Sequence, residues 1–345
     1  MKKVLCFGEL LLRLPPAQNG AWLQQNSMPV FVAGAELNVA TALATWHMPV
    51  SYCTALPDNI ITTDILNWLQ PRGIDTTSVQ FSGERIGLYY LKEGADMKSA
   101  ENVFDRKYSS FSQLQPGSID WDAVLQQIDW LHLSAIPPAV SESAAAVCLE
   151  AVQAAAAKNI PVSFDLNYRS QLWKYGRSAA DVLADLLPYC TLIMGNIWSA
   201  HSLLGAPLQE QMLQQRKVAD YAAHARQTST FIFEKYRACR WVAQTFRFDT
   251  TDGGLHYFGT LDEREGQRIS AQLKAHSVVE KVGSGDCFMA GLIYGIRNRW
   301  GTQQIIDYAA AAAMGKLQEK GDATRNSVQD VHGVLDKYRM QEGIA

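Results

Sequence analysis

Apolar residues recur along this chain in two rhythms, short continuous runs and longer stretches spaced at a helical period. Lys3–Phe7 is an apolar run ending at Gly8 and reads as a buried first strand. Pro15-Pro16, Asn19-Gly20 and Pro29 punctuate an irregular, hairpin-rich segment. Residues 35–46 are good helix formers with Leu37, Ala40, Leu43 and Ala44 on one side. Residues 50–55 read as a strand and residues 60–69 as a helix stopped near Pro71 and Gly73. The apolar, aromatic runs 86–91 and 103–104 look like hairpin strands outside the main alternation. Strands at 130–134, 162–166 and 192–194 then alternate with helices at 141–157 and 179–187. Within the poorly patterned stretch 210–239, residues 228–236 fit helix or strand equally. Residues 241–246 read as a strand followed by the turn signal Asp252-Gly253-Gly254, and the final third reads as helical, at 286–296, 302–318 and 328–338. Repeated strand–helix units predict a mostly parallel sheet covered on both faces. No repeat or linker divides the chain, so one α/β domain over residues 1–345 with a small β insertion is expected.

Composition narrows the class. At 48% hydrophobic and 19% charged residues the chain is an ordinary globular protein, and a net charge of -3 argues against a nucleic-acid binder. Cys6, Cys53, Cys148, Cys190, Cys239 and Cys287 are scattered with no CxxC pair. That spacing favours reduced thiols in a cytoplasmic protein over a disulfide framework or a zinc site. The start has the positive charge of a signal peptide, but Glu9 and Arg13 interrupt its apolar run. No stretch has the length of a membrane span.

The chemistry concentrates at Gly283-Ser284-Gly285-Asp286, which follows a β-branched segment and opens an apolar helical pattern. Small residues at a helix start leave backbone N–H groups aimed at one spot, where the helix dipole favours an anion. A carboxylate beside such a cradle suits phosphoryl transfer to a deprotonated hydroxyl. The local sequence fits equally a glycine turn with Asp286 as a helix cap. It is neither a Walker A loop, lacking Lys-Ser/Thr at the required offset, nor a dinucleotide fingerprint. His132 flanked by Leu131 and Leu133 suits a core strand better than a catalytic base, and the remaining histidines lack ligand spacing.

Residues 278–295, around Val282-Gly283-Ser284-Gly285-Asp286, closely resemble the C-terminal signature of PfkB/ribokinase-type carbohydrate kinases. Gly8-Glu9-Leu10 and Gly34-Ala35-Glu36-Leu37-Asn38 are similar to the N-terminal motifs of that family. Phe164-Asp165-Leu166-Asn167-Tyr168-Arg169, with residues 86–90 and Asp105-Arg106, resembles its 2-keto-3-deoxygluconate kinase branch. The resemblance implies a ribokinase-like fold, a central mostly parallel sheet flanked by helices, with a small β-sheet lid from segments at about 10–33 and 84–110. It implies Asp286 as general base, with Gly283, Ser284 and Gly285 cradling the γ-phosphate. Gly34 and Asn38 would hold sugar hydroxyls, and Tyr90, Arg106 and Arg169 would face the substrate. Two guanidiniums suit an acid sugar, since each can grip a carboxylate with paired hydrogen bonds. Asn196, Thr245 and Arg247 would contact ATP, with Mg²⁺ as its companion, a monovalent cation left open and no metal ligands designated. An uncovered lid edge invites pairing of two copies.

Departures from the family pattern fall mostly on the nucleotide side. Glu280-Lys281 replaces Asp-Thr ahead of the cradle, Ala33 replaces a glycine, and Phe104 replaces a tyrosine. Ser199 stands where related kinases often carry a glutamate, and Thr245-Phe246-Arg247-Phe248 replaces a glycine-containing pattern. Three readings follow: a kinase of 2-keto-3-deoxygluconate, a kinase of a neutral sugar such as fructose or ribose, and a non-catalytic sugar or nucleotide sensor.

Overall fold

The computed structural model describes residues 2–16, 22–23, 26–91, 102–209, 217–251 and 253–341, with side chains through residue 338. Asn19-Gly20, Asp252 and the start of the 210–239 stretch lie outside these residues.

A ten-stranded sheet forms the centre. Trp241–Asp249, Leu192–Gly195, Val162–Asp165, Ile128–Ser134, Lys3–Phe7, Val50–Cys53 and Ile74–Asp75 lie side by side in that order, all parallel. The first strand shows why the apolar run is continuous. Val4 and Cys6 enter one core with helices Ala35–Thr45, Ser284–Arg297 and Thr302–Lys316. Leu5 and Phe7 enter the other, with helices Glu142–Ala157 and Ala179–Leu186. Each such side chain, fully buried, stabilises the fold by about 1.5–3 kcal/mol. Local capping agrees with the pattern, since Asn59, Ser141 and Ser178 each accept a first-turn N–H.

Three elements depart from the expected order. Val218–Lys235 is a helix, which settles the open choice at 228–236. Ile197–Leu204 is a further helix, with Asn196 and Ser199 forming a reciprocal capping box. Before the last helices the chain extends the sheet by Leu255–Glu263, antiparallel to Trp241–Asp249 and itself carrying Gly266–Ile269 and Leu273–Ala275. The final third is therefore not wholly helical.

A second, four-stranded sheet has the order Phe31–Ala33, Leu11–Leu14, Gly87–Tyr90, Val103–Asp105. Leu11–Leu14 runs parallel to Gly87–Tyr90, with Arg13 opposite Tyr89 and Leu14 opposite Tyr90. Leu11, Ala33 and Tyr89 pack with Val282 of the main body, so one face of this sheet is turned toward the start of helix Ser284–Arg297. Among the described residues no helix is long and apolar enough to cross a membrane. All six cysteines are buried and free.

Candidate active site

Parallel strands deliver their carboxyl ends to one edge of the sheet, where α/β proteins bind ligands. A cavity of about 610 Å³ opens there, bounded by Glu9, Ile136, Asp165, Gly195 and Thr245 from those strand ends. The small sheet closes one side through Leu11, Tyr89 and Phe104.

Two helix N-termini face into the cavity. Helix Ala35–Thr45 starts at Gly34, whose φ of 149° lies in the region that favours glycine. A Cβ there would stand 2.6 Å from the Glu9 carbonyl oxygen. Helix Ser284–Arg297 starts at Gly283, with φ 78°, where a Cβ would collide with the Asp322 carbonyl oxygen. The first helical hydrogen bond runs from Cys287 N–H to Gly283 O at 2.9 Å, leaving the N–H groups of Ser284, Gly285 and Asp286 ahead of it. Ser284 turns its hydroxyl back to the Lys281 carbonyl at 3.2 Å, so its side chain is engaged within the turn.

The two helices meet through Asn38 and Asp286. Asn38 Nδ2 donates to Asp286 Oδ2 at 2.7 Å, while Asn38 Oδ1 is buried without a hydrogen-bond partner. Burial pushes the Asp286 carboxyl up to about 8, the Asn38 hydrogen bond opposes the rise, and nearby Asp165 and Glu36 add to it. Asp165 is itself pushed up to about 6 by burial, against the Asn167 N–H and the Arg169 charge. Glu36, 1% exposed, is pushed up to about 7 by burial, and its Oε1 is buried without a hydrogen-bond partner. A carboxylate whose affinity for a proton is raised by burial and by neighbouring carboxyls is, once ionised, a stronger base than a free one.

Positive charge enters from two loops. Arg106 is buried and doubly bonded to Glu9, with Nε and Nη2 both 2.5 Å from Oε2, while Ser109 holds Oε1 at 2.5 Å. Arg169 also lines the cavity, its Nη1 donating to the Tyr168 carbonyl at 3.0 Å. The structural ion pair that a lone arginine invites is thus present at Arg106, which still borders the cavity.

Most expected site residues converge. Gly34, Asn38, Arg106, Arg169, Asn196, Thr245, Arg247, Gly283, Ser284, Gly285 and Asp286 all border the one cavity. Tyr90 does not border it, whereas its neighbour Tyr89 does. Strand alternation turns Tyr90 to the other face of the small sheet, where its ring meets Trp22 edge-on at 5.7 Å. Tyr89 takes the inner face and donates its hydroxyl to Asp322 Oδ2 at 2.6 Å. Asn196 and Ser199 bind each other's backbone in the helix cap. Among the described residues no three His, Cys, Asp or Glu side chains gather to hold a metal ion. Glu9, Glu36, Tyr89 and Trp198 border the cavity without having been singled out from sequence. Glu9 and Glu36 sit inside the two N-terminal motifs, which was the available signal.

Residues 1–329 match the pfkB family of carbohydrate kinases, and the chain belongs to that family. Its architecture is the ribokinase-like fold, an α/β sheet with a separate small sheet. The crystal structure of 2-dehydro-3-deoxygluconokinase from Thermotoga maritima is similar with a TM-score of 0.88 and 28% identity, over 97% of this chain and 100% of that one. A 2-dehydro-3-deoxygluconokinase of Bacillus subtilis is 25% identical over 92% of this chain and 90% of its own length. A 2-dehydro-3-deoxygalactonokinase of Haloferax volcanii is 22% identical over 96% of each.

Proposed function

We propose that this kinase transfers the γ-phosphate of ATP to the terminal hydroxyl of 2-keto-3-deoxygluconate, the 2-dehydro-3-deoxygluconate of its relatives' names. The observation that carries the reading is one cavity holding Arg106 and Arg169 together with Asp286 and the 283–285 amides. The sugar acid sits under the small sheet, which acts as a lid, with its carboxylate gripped by Arg169 and its hydroxyls near Gly34 and Asn38 Oδ1. Arg106, neutralised in part by Glu9, shapes that end of the site. Asp286 accepts the hydroxyl proton as the oxygen attacks phosphorus in line, and the 283–285 amides hold the charge on the transferring group. Covering the sugar excludes water and limits ATP hydrolysis.

ATP occupies the end bordered by Asn196, Thr245 and Arg247, with Trp198 at its rim. Among the described residues no side-chain cage for Mg²⁺ is present, which fits an ion that keeps several waters and travels on the substrate's phosphates. When bound it neutralises phosphate charge. Two copies pair through the lid, where Val103 is 55% exposed on the outermost strand; light scattering of the purified chain tests that pairing.

The kinase reading is tested by supplying Mg²⁺-ATP with 2-keto-3-deoxygluconate, its C4 epimer 2-keto-3-deoxygalactonate, and fructose or ribose, and following ADP and the sugar phosphate. Transfer to the two acids in preference to the neutral sugars is expected. Preference for a neutral sugar would reassign the substrate, and sugar binding without transfer would leave a sensor.

A further inference from the structure

Behind the phosphate cradle lies a buried ionic cluster that the proposed reaction does not use. Arg13 belongs to the small sheet, yet it is 0% exposed and reaches the main body. Its Nε donates to Asp322 Oδ1 at 2.6 Å and its Nη1 to Glu280 Oε1 at 2.7 Å. Glu280 Oε2 also accepts the Gly321 N–H at 2.8 Å. Tyr89, from the neighbouring strand of the same sheet, donates to Asp322 Oδ2, and Phe31 from the third strand stacks 4.4 Å from the guanidinium. Glu280 lies three residues before Gly283, and the Asp322 backbone is packed so closely on Gly283 that no side chain fits there. Lys316, also 0% exposed, runs its stem beneath the same glycine, with Cε 3.3 Å from where a Cβ would stand.

We infer that Arg13 is a positioning residue for phosphoryl transfer, a built-in cation that ties the substrate-covering sheet to the 283–285 cradle. The inference rests on the kinase reading above. It also accounts for Glu280 ahead of the cradle, since a longer acidic side chain meets a guanidinium there. Arg13 pairs with both Glu280 and Asp322, while Lys316 donates to the Glu319 carbonyl at 3.2 Å.

The test compares the parent, Arg13→Ala and Arg13→Lys with Mg²⁺-ATP and 2-keto-3-deoxygluconate. Arg13→Ala is expected to lower kcat by roughly 100-fold with KM for the sugar little changed. Guanidinium ion at non-denaturing concentration should restore part of that loss by entering the vacated space. Hydrogen exchange supplies a readout independent of turnover. Binding of the sugar acid alone should slow exchange of the Ser284 and Gly285 amides in the parent and leave them unaffected in Arg13→Ala. Should Arg13→Ala not fold, Arg13→Lys, which keeps the charge but loses the two-pronged grip, carries the same comparison at a smaller loss. A variant kcat within about threefold of the parent, or an unchanged exchange response, overturns the inference. A parent that transfers no phosphate would instead overturn the kinase reading on which it rests.

Discussion

Asp286→Asn sets the two demands on one carboxyl against each other. As a general base Asp286 contributes about 10²–10⁴-fold, so kcat should fall by that factor. KM for both substrates should hold, because the amide keeps the side chain's shape beside Asn38. The same change should stabilise the unliganded protein. Burial raises the folded-state value of Asp286 to about 8 from the ordinary 3.8, so the folded state binds its proton more tightly than the unfolded chain does. Stability from this group is therefore complete below the unfolded value and is lost as pH rises through the folded one. At about 1.36 kcal/mol per pH unit the whole interval sets a ceiling of about 6 kcal/mol. Relaxation and water entry reduce the recoverable part to on the order of 1–3 kcal/mol, roughly 1–4 °C in Tm. Calorimetry of both proteins from pH 5 to pH 9, paired with ADP-release kinetics on the same preparations, measures both effects. The Tm advantage of Asp286→Asn should open between pH 5 and pH 8 and flatten above, while kcat/KM of the parent rises with pH toward the same value. A Tm difference independent of pH, or a variant kcat within tenfold of the parent, would refute the reasoning.

Asn38→Ala removes the hydrogen bond that favours ionised Asp286, so the rising limb of the kcat/KM profile should move to higher pH by about one unit. Arg169→Ala should lower kcat/KM for the sugar acid by about 10–150-fold, the worth of a charged hydrogen bond, and leave a neutral analogue nearly unaffected in parallel kinetics. Arg106→Ala differs because it strands Glu9, 1% exposed, and should cost about 3–5 kcal/mol in denaturant unfolding; adding Glu9→Gln should recover much of it. Gly283→Ala should abolish transfer and lower Tm, since its Cβ meets the Asp322 backbone and cannot be relieved by a side-chain rotation.

Much of the sheet was legible because Lys3–Phe7 and its neighbours are buried on both faces and so read as continuous apolar runs. Leu255–Glu263 was not, because Phe258 through Asp262 are all buried and the period-two signal disappears beyond His256. Two consecutive tyrosines cannot be ranked from sequence, since pairing with Leu11–Leu14 alone decides that Tyr89 faces inward. Asp286 and its glycines stood out because their order along the chain is itself the chemistry. Glu36 did not, because a carboxylate in the first turn of a helix reads as a favourable dipole partner until its burial is known. The role of Arg13 was not legible either, because its partners Glu280 and Asp322 lie 267 and 309 residues away.

Those separations set an order of assembly. Asn38 meets Asp286 across 248 residues, and Tyr89 meets Asp322 across 233. A chain emerging from the ribosome can bury the alternating strands and helices of its middle well before either contact exists. Until residue 322 arrives, Arg13 lacks one of its two acidic partners and Tyr89 the acceptor of its hydroxyl. Non-local closures of this kind come late and slowly, because the loop entropy is lost before the contacts are gained. The arrangement around Asp286 is thus completed late in synthesis, and a chain ending before residue 322 would leave Arg13 and Tyr89 without Asp322.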